Sequence, residues 1–309
     1  MGVSGVLSGF SLIAAIVAIG YVLGRFRVLG DAAPLVLSRL AFFVATPALL
    51  FSTLAASRAS EVFSAQSVTG WVSASAMLVV YAVAARWWLR RPGAESVIGA
   101  LCSGYVNAGN LGIPIAVYAL GGAAAVVPAM MFQMVVLAPA AFVVLDVLTG
   151  RGDRSGLRSA VVPLLNPMLL AALAGIGVSL ARVELPEVVM GPIDMLGATA
   201  VPVMLIAFGI SLHGAPIPGR TELRRPLVLA VALKNAGQPA LAWVLGTFAF
   251  GLTGPALLAA VVVAALPTAQ NVFTFAMRYG SGVALAREAI LVSTIASVPV
   301  ILAVAAVLT

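Results

Sequence analysis

Apolar residues in this chain come in runs about as long as a bilayer is thick, parted by short polar or arginine-bearing gaps. A helix needs about 20 mostly apolar residues to cross the hydrocarbon core. By that measure the pattern predicts ten spans: 5–24, 34–55, 67–89, 95–120, 124–148, 160–181, 191–213, 225–249, 254–278 and 283–308. The second and seventh carry mid-span prolines, Pro47 and Pro202, which leaves room for them to be shorter. The first run, Val6 to Leu23, has no positive leader and reads as a true span rather than a cleaved signal.

Two of the ten runs are interrupted in the middle. One reads Cys102-Ser-Gly-Tyr-Val-Asn-Ala-Gly-Asn-Leu-Gly-Ile-Pro114, the other Ala264-Ala-Leu-Pro-Thr-Ala-Gln-Asn-Val-Phe-Thr274. Backbone released from a helix in lipid must find partners or line a cavity, so such breaks persist where they serve a site. Paired breaks in corresponding halves of a chain point to a transporter's binding site.

Composition agrees with membrane residence. The 309 residues are 62% hydrophobic and 9% charged, with a mean hydropathy of +1.14, whereas a soluble domain carries about 25% charged residues. The net charge of +7 does not signal nucleic acid, because the arginines sit in short loops between apolar runs. Arg25, Arg27, Arg39, Arg86, Arg90, Arg91, Arg151, Arg154, Arg158, Arg220, Arg224, Arg225, Arg278 and Arg287 fall on one side of a ten-span arrangement. Only Arg58 and Arg182 fall on the other. The positive-inside rule then places the arginine-rich loops in the cytoplasm and both termini outside, in a multi-pass protein of the cytoplasmic (inner) membrane. A single cysteine, Cys102, excludes an internal disulfide and a cysteine-based metal cage.

Five spans per half make the halves, 1–150 and 151–309, enter the membrane from opposite sides. A weak repeat runs at an offset of 155 positions: Gly20 aligns with Gly175, and Pro47 with Pro202. The expected fold is therefore an all-α polytopic membrane protein of two inverted five-helix repeats.

The candidate chemistry lies at mid-depth. Asn107, Asn110, Gly112 and Pro114 lie in span 4; Pro267, Thr268, Gln270 and Asn271 lie in span 9. Proline removes a donor and crowds the carbonyl four residues earlier. Half-helices meeting at such a point present N-terminal N–H groups that favour an anion, and the amides can donate to a carboxylate. We therefore expect Asn107, Asn110, Thr268, Gln270 and Asn271 to bind substrate and Gly112, Pro114 and Pro267 to hold the breaks. Lys234, the only lysine, lies about 14 Å into span 8 with Gln238 one turn on. It can act as a fixed cation for an anionic substrate, as a proton-carrying group, or as a side chain snorkelling to the interface. No Asp or Glu sits deep in a span: Asp146 and Asp194 lie near span ends and His213 closes span 7. That weighs against a cation/proton antiporter. Gly109 to Gly112 lies inside an apolar span and is no dinucleotide loop. With no nucleophile–base pair, metal-ligand cluster or phosphate loop, an enzyme is not expected.

Asn107-Ala-Gly-Asn-Leu-Gly-Ile-Pro114 resembles the span-4 signature of the auxin efflux carrier family, the bacterial relatives of plant PIN proteins. Ala198-Thr-Ala-Val-Pro-Val-Met-Leu-Ile-Ala-Phe-Gly-Ile-Ser-Leu212 and Leu266-Pro-Thr-Ala-Gln-Asn-Val-Phe-Thr-Phe-Ala-Met-Arg-Tyr279 are similar to its span-7 and span-9 signatures, and Lys234 with Pro239 to its span-8 pattern. The resemblance implies crossing broken helices 4 and 9, as in bile-acid symporters and broadly as in NhaA. It implies a scaffold of spans 1, 2, 6 and 7, a moving unit of spans 3–5 and 8–10, and a homodimer through the scaffold. It also implies small organic anions as substrates, auxin in plants and malate- or malonate-like carboxylates in bacteria. The short 5–6 loop, Gly150 to Ser159, lacks the regulatory segment of the long plant proteins. The expectation is an organic-anion secondary transporter with no resident cofactor, and with proton and sodium coupling both open. Its rivals are a sodium-coupled symporter of the bile-acid type and a non-transporting membrane sensor or partner subunit.

Overall fold

The computed structural model describes residues 3–56, 64–150, 167–213 and 223–308. Arg58, Arg151, Arg154, Arg158, Arg220, most of the 5–6 loop and the first residues of the expected sixth span lie outside the described residues. Among those described, the regular structure is helical throughout, with one isolated β-bridge and no strand. Helices fall within each of the ten predicted runs: α1 (Val3–Arg25), α2 (Ala33–Ala56), α3 (Ala65–Trp87), α4 (Gly93–Gly104) and α5 (108–120). They continue as α6 (Ala124–Leu148), α7 (Pro167–Ala181), α8 (Glu187–Leu212), α9 (Arg224–Ala249), α10 (Gly254–Ala265), α11 (Asn271–Tyr279) and α12 (Val283–Leu308). Six of these, α2, α3, α6, α8, α9 and α12, are long and apolar enough to cross a membrane.

Prolines do not shorten α2 and α8, which run for 24 and 26 residues. In α2 the helix widens instead. A π turn covers Ala41–Ala45, two residues before Pro47. The same spacing recurs at Ala108–Gly112 before Pro114, Gln133–Leu137 before Pro139 and Leu233–Gly237 before Pro239. A proline ring presses on the carbonyl four residues back and offers it no N–H. A wider turn moves that carbonyl aside, and such turns concentrate at functional sites.

The helices pack in two groups. α1 lies mainly along α8, and α2 along α7 and α8. In the second group α4 packs on α3 and α9, and α10 on α3, α9 and α12. The first group closes through glycine. A Cβ on Gly20 would sit 2.5 Å from the Ile206 carbonyl oxygen and 3.0 Å from the Gly209 Cα; one on Gly175 would sit 2.7 Å from the Phe51 carbonyl oxygen and 3.0 Å from the Leu54 Cβ. Ile206 and Gly209 stand to Phe51 and Leu54 as Gly175 stands to Gly20, 155 positions on. Small residues allow this backbone approach in membrane helices, where no hydrophobic effect drives helix pairing.

Two buried apolar clusters fill the interior. One holds Leu50, Val106, Leu111, Met130, Leu205 and Leu266; the other holds Tyr81, Leu101, Tyr105, Phe142, Ala269 and Val272. Neighbouring residues of each helix break thus enter opposite clusters, and the breaks lie between them.

Replacing Gly20 or Gly175 by valine forces a branched side chain onto backbone that has no rotamer to yield. Each variant is expected to lose about 1–3 kcal/mol or more, read as a lowered thermal midpoint in detergent. Gly177→Ala, where nothing lies within 4 Å, is expected to leave the midpoint unchanged or slightly raised.

Candidate functional site

α4 and α10 end at Gly104 and Ala265, and the chain continues extended through Tyr105 and Leu266. The two extended stretches run antiparallel and pair at Val106 and Thr268. Asn107 donates its backbone N–H to the Pro267 carbonyl at 2.7 Å, and Ala269 donates to the Tyr105 carbonyl at 2.9 Å. Pro267 has no N–H to satisfy. The Thr268 N–H goes to Ser293 Oγ on α12 at 3.1 Å. Each break therefore supplies partners to the other.

The carbonyl rows left open at the ends of α4 and α10 each receive a side-chain donor from elsewhere. The Thr268 hydroxyl donates to the Cys102 carbonyl at 2.6 Å. The Lys234 ammonium donates to the Ala264 carbonyl at 2.8 Å and to Gln238 Oε1 at 2.5 Å. A cation there also complements the negative end of the helix dipole. Lys234 is fully buried, so it does not snorkel, and among the described residues it has no carboxylate partner. It belongs to the π turn of α9 that precedes Pro239.

Beyond the crossing, α5 opens with Gly112 donating to the Asn107 carbonyl at 2.8 Å. α11 opens at Asn271, whose side chain hydrogen-bonds the Tyr105 side chain. Gln270 and Asn271 are half-buried, while Asn107 and Thr268 are buried. The structure brings Asn107, Pro267, Thr268, Gln270, Asn271 and Lys234 to one crossover. Gly112 lies against it from within α5: a Cβ there would come to 2.8 Å from Leu266 Cδ1. Pro114 sits farther along α5, and the break itself is centred on Tyr105 to Asn107. Asn110 falls in the π turn of α5; its side chain lies outside the described residues.

The sequence reading passed over Tyr105, Gln133, Asn235 and Ser293. Asn235 donates Nδ2 to the Ser293 carbonyl at 3.0 Å, and its buried Oδ1 has no partner among the described residues. Gln133 is an amide inside the apolar run of α6, a signal of the same kind as the amides at the breaks. Acidic burial also reaches further than expected. Asp146 and Glu288, near the ends of α6 and α12, are both buried and both engaged in interactions.

Comparison with known proteins places the chain. The family described as Membrane transport protein matches residues 11–159 and 157–304, so the chain belongs to that family, which points to transport and not to catalysis. It is 28% identical over 275 residues to a Rhizobium meliloti (strain 1021) protein named "Putative malonate transporter", covering 83% of this chain and 81% of that protein. It is 31% identical over 143 residues to "Probable auxin efflux carrier component 5b" of Oryza sativa subsp. japonica, covering 44% of this chain and 38% of that protein. The resemblance carried by the motifs at the breaks is borne out.

Thr268→Val keeps the shape and removes the donor to Cys102. A buried carbonyl left unsatisfied costs about 1–3 kcal/mol, so the thermal midpoint in detergent is expected to fall. Thr268→Ser, which retains the hydroxyl, is expected to recover most of the loss.

Proposed function

We propose that this member of the membrane transport protein family is a secondary transporter moving small organic anions across the cytoplasmic membrane by alternating access. The observation that carries the reading is Lys234: a buried lysine with no carboxylate partner among the described residues, set at the crossing of two broken helices beside the half-buried amides of Gln270 and Asn271. A charge placed so deep is costly unless a partner or cavity answers it, and an anion supplies the missing sign. Both relatives are named for carboxylate cargo, malonate and auxin.

In this reading the substrate carboxylate lies at the start of α11. Asn271 and Gln270 donate to it, Asn107 and Asn110 flank it, Thr268 and Pro267 hold the crossing, and Gly112 and Pro114 shape α5. Lys234 contributes charge through Gln238 and Ala264 rather than by direct contact. The chain spans the bilayer ten times in two inverted five-helix repeats, with both termini outside. The matched glycine contacts, Gly20 on Ile206 and Gly175 on Phe51, support the repeat. The group α1, α2, α7 and α8 is the scaffold and the homodimer face, and the remaining helices rock against it.

One observation favours sodium coupling as a second reading. Asn235 Oδ1, beside Ser293 and without a partner among the described residues, is a neutral oxygen ligand of the kind a sodium ion takes.

The test is uptake and binding of malonate by the purified protein in proteoliposomes, with and without a sodium gradient. Asn271→Ala is expected to weaken binding about tenfold, or about 1.4 kcal/mol, with folding retained. Tyr105→Phe, which removes the same side-chain bond but leaves the amide, is expected to do less. Unchanged uptake in Asn271→Ala and Gln270→Ala together sinks the crossover site. Uptake that requires sodium moves the reading to the symporter.

A further inference from the structure

α3 ends at Trp87 and α4 begins at Gly93, and the turn between them is closed onto α3 by its own backbone. The Trp88 and Leu89 N–H groups both donate to the Ala84 carbonyl at 2.9 Å, and the Arg91 N–H donates to the Ala85 carbonyl at 3.1 Å. Four side chains stand out from this fixed turn. Trp87 and Trp88 are 76% and 64% exposed, and Arg86 and Arg90, which flank them in the chain, are exposed as well.

The chemistry of these four is one-sided. A guanidinium and an indole N–H donate hydrogen bonds and accept none. Among the described residues neither Arg86 nor Arg90 has a carboxylate partner. The nearest carboxylate in the chain, Glu95, is spent on Arg91, which it meets at 2.6 Å. The outward side chains of the turn thus offer positive charge and donors, with no acceptor among them. Their complement is a negative group with several acceptor oxygens, and a phosphate fits the guanidinium fork. Below the turn, Val79, Val80 and Val83 are exposed and share a helix face with Trp87, at spacings of eight, seven and four residues. A phosphate carried on acyl chains meets both surfaces at once, whereas inorganic phosphate uses only the first.

Orientation in the membrane asks only for positive charge near a span end. It does not ask for guanidinium groups flanking exposed indoles. The second half of the chain supplies a comparison. α9, like α3, is a long helix followed by one that ends at the crossing. Its last turns expose Trp243 and Phe248, yet no charged residue lies between Lys234 and Arg278. Aromatic side chains anchor an interface without cations, so the arginines of the α3–α4 turn answer a different need.

We propose that the α3–α4 turn binds one anionic phospholipid. Arg86 and Arg90 hold the phosphate, the indoles of Trp87 and Trp88 lie at the level of the ester groups, and the acyl chains run along Val79, Val80 and Val83. A zwitterionic headgroup brings an ammonium that finds no free carboxylate on the turn, so the site selects headgroups with a net negative charge. It does not depend on the transport reading and holds whatever the cargo is.

The experiment counts lipid bound to the purified, delipidated protein by native mass spectrometry, during titration with phosphatidylglycerol, phosphatidylcholine and inorganic phosphate. The unsubstituted protein is compared with two double variants, Arg86→Gln with Arg90→Gln, and Arg224→Gln with Arg225→Gln. The second removes the same charge from the start of α9, where no aromatic residue adjoins the arginines in the chain. All four arginines are exposed, and surface substitutions of this kind leave the fold intact. Phosphatidylglycerol is expected to bind about tenfold more tightly than phosphatidylcholine. That preference is expected to vanish in the Arg86 and Arg90 variant and to persist in the Arg224 and Arg225 variant. Equal losses in both variants mean general charge attraction and overturn the site, as does an unchanged preference in the Arg86 and Arg90 variant. Inorganic phosphate that binds as tightly as phosphatidylglycerol, and is lost in the same variant, overturns the lipid as occupant.

Discussion

The rest of the molecule depends on one exchange of backbone hydrogen bonds. Two helices stop in the middle of the fold, and the stretches that follow them pair with each other at Val106 and Thr268. In hydrocarbon an unpaired N–H or C=O costs several kcal/mol, so neither break is stable alone. Together they need only two backbone bonds, one proline without an N–H and one hydroxyl on α12. That economy lets irregular backbone sit between two apolar clusters.

Capping completes what the pairing leaves open. α4 and α10 each expose a row of carbonyls at the crossing. A hydroxyl from Thr268 answers one row and the ammonium of Lys234 answers the other. The two donors are not equivalent. The hydroxyl belongs to a neutral side chain, whereas the lysine is an ionisable one buried with no carboxylate partner among the described residues. Structural need and chemical opportunity therefore meet in Lys234. The group that finishes the helix end is also a buried lysine held between Gln238 and Ala264 at the crossover.

Around the crossing, packing divides between closeness and adjustment. α1, α2, α7 and α8 approach through Gly20, Gly175 and Gly209, where any side chain would strike backbone. Such contacts resist sliding. Elsewhere prolines sit just past π turns, so the helices widen there rather than break. The π turn of α9 carries Lys234 and Asn235, which point to different partners, Ala264 and Ser293.

The amino-acid sequence by itself determined which segments are helical, where two of them fail, and which residue types gather at the failures. Those are properties of spacing along the chain: apolar run length, proline and glycine positions, one lysine with a glutamine four residues on. It also paired Gly20 with Gly175 as equivalents. Only the tertiary structure decided what those residues do. Thr268 and Lys234 become helix caps because Cys102 and Ala264, 166 and 30 positions away from them, come within reach. The break in the first half centres on Tyr105 to Asn107 and not on Gly112 and Pro114, because Pro267 offers its carbonyl there. Asn235 gained meaning only when its neighbours were known, since a lone amide in an apolar run reads the same whether it is spent or free. Run length and composition are local, and they survive in one dimension. The direction of a side chain and the partner it meets are set by packing between distant segments, and spacing along the chain does not encode them.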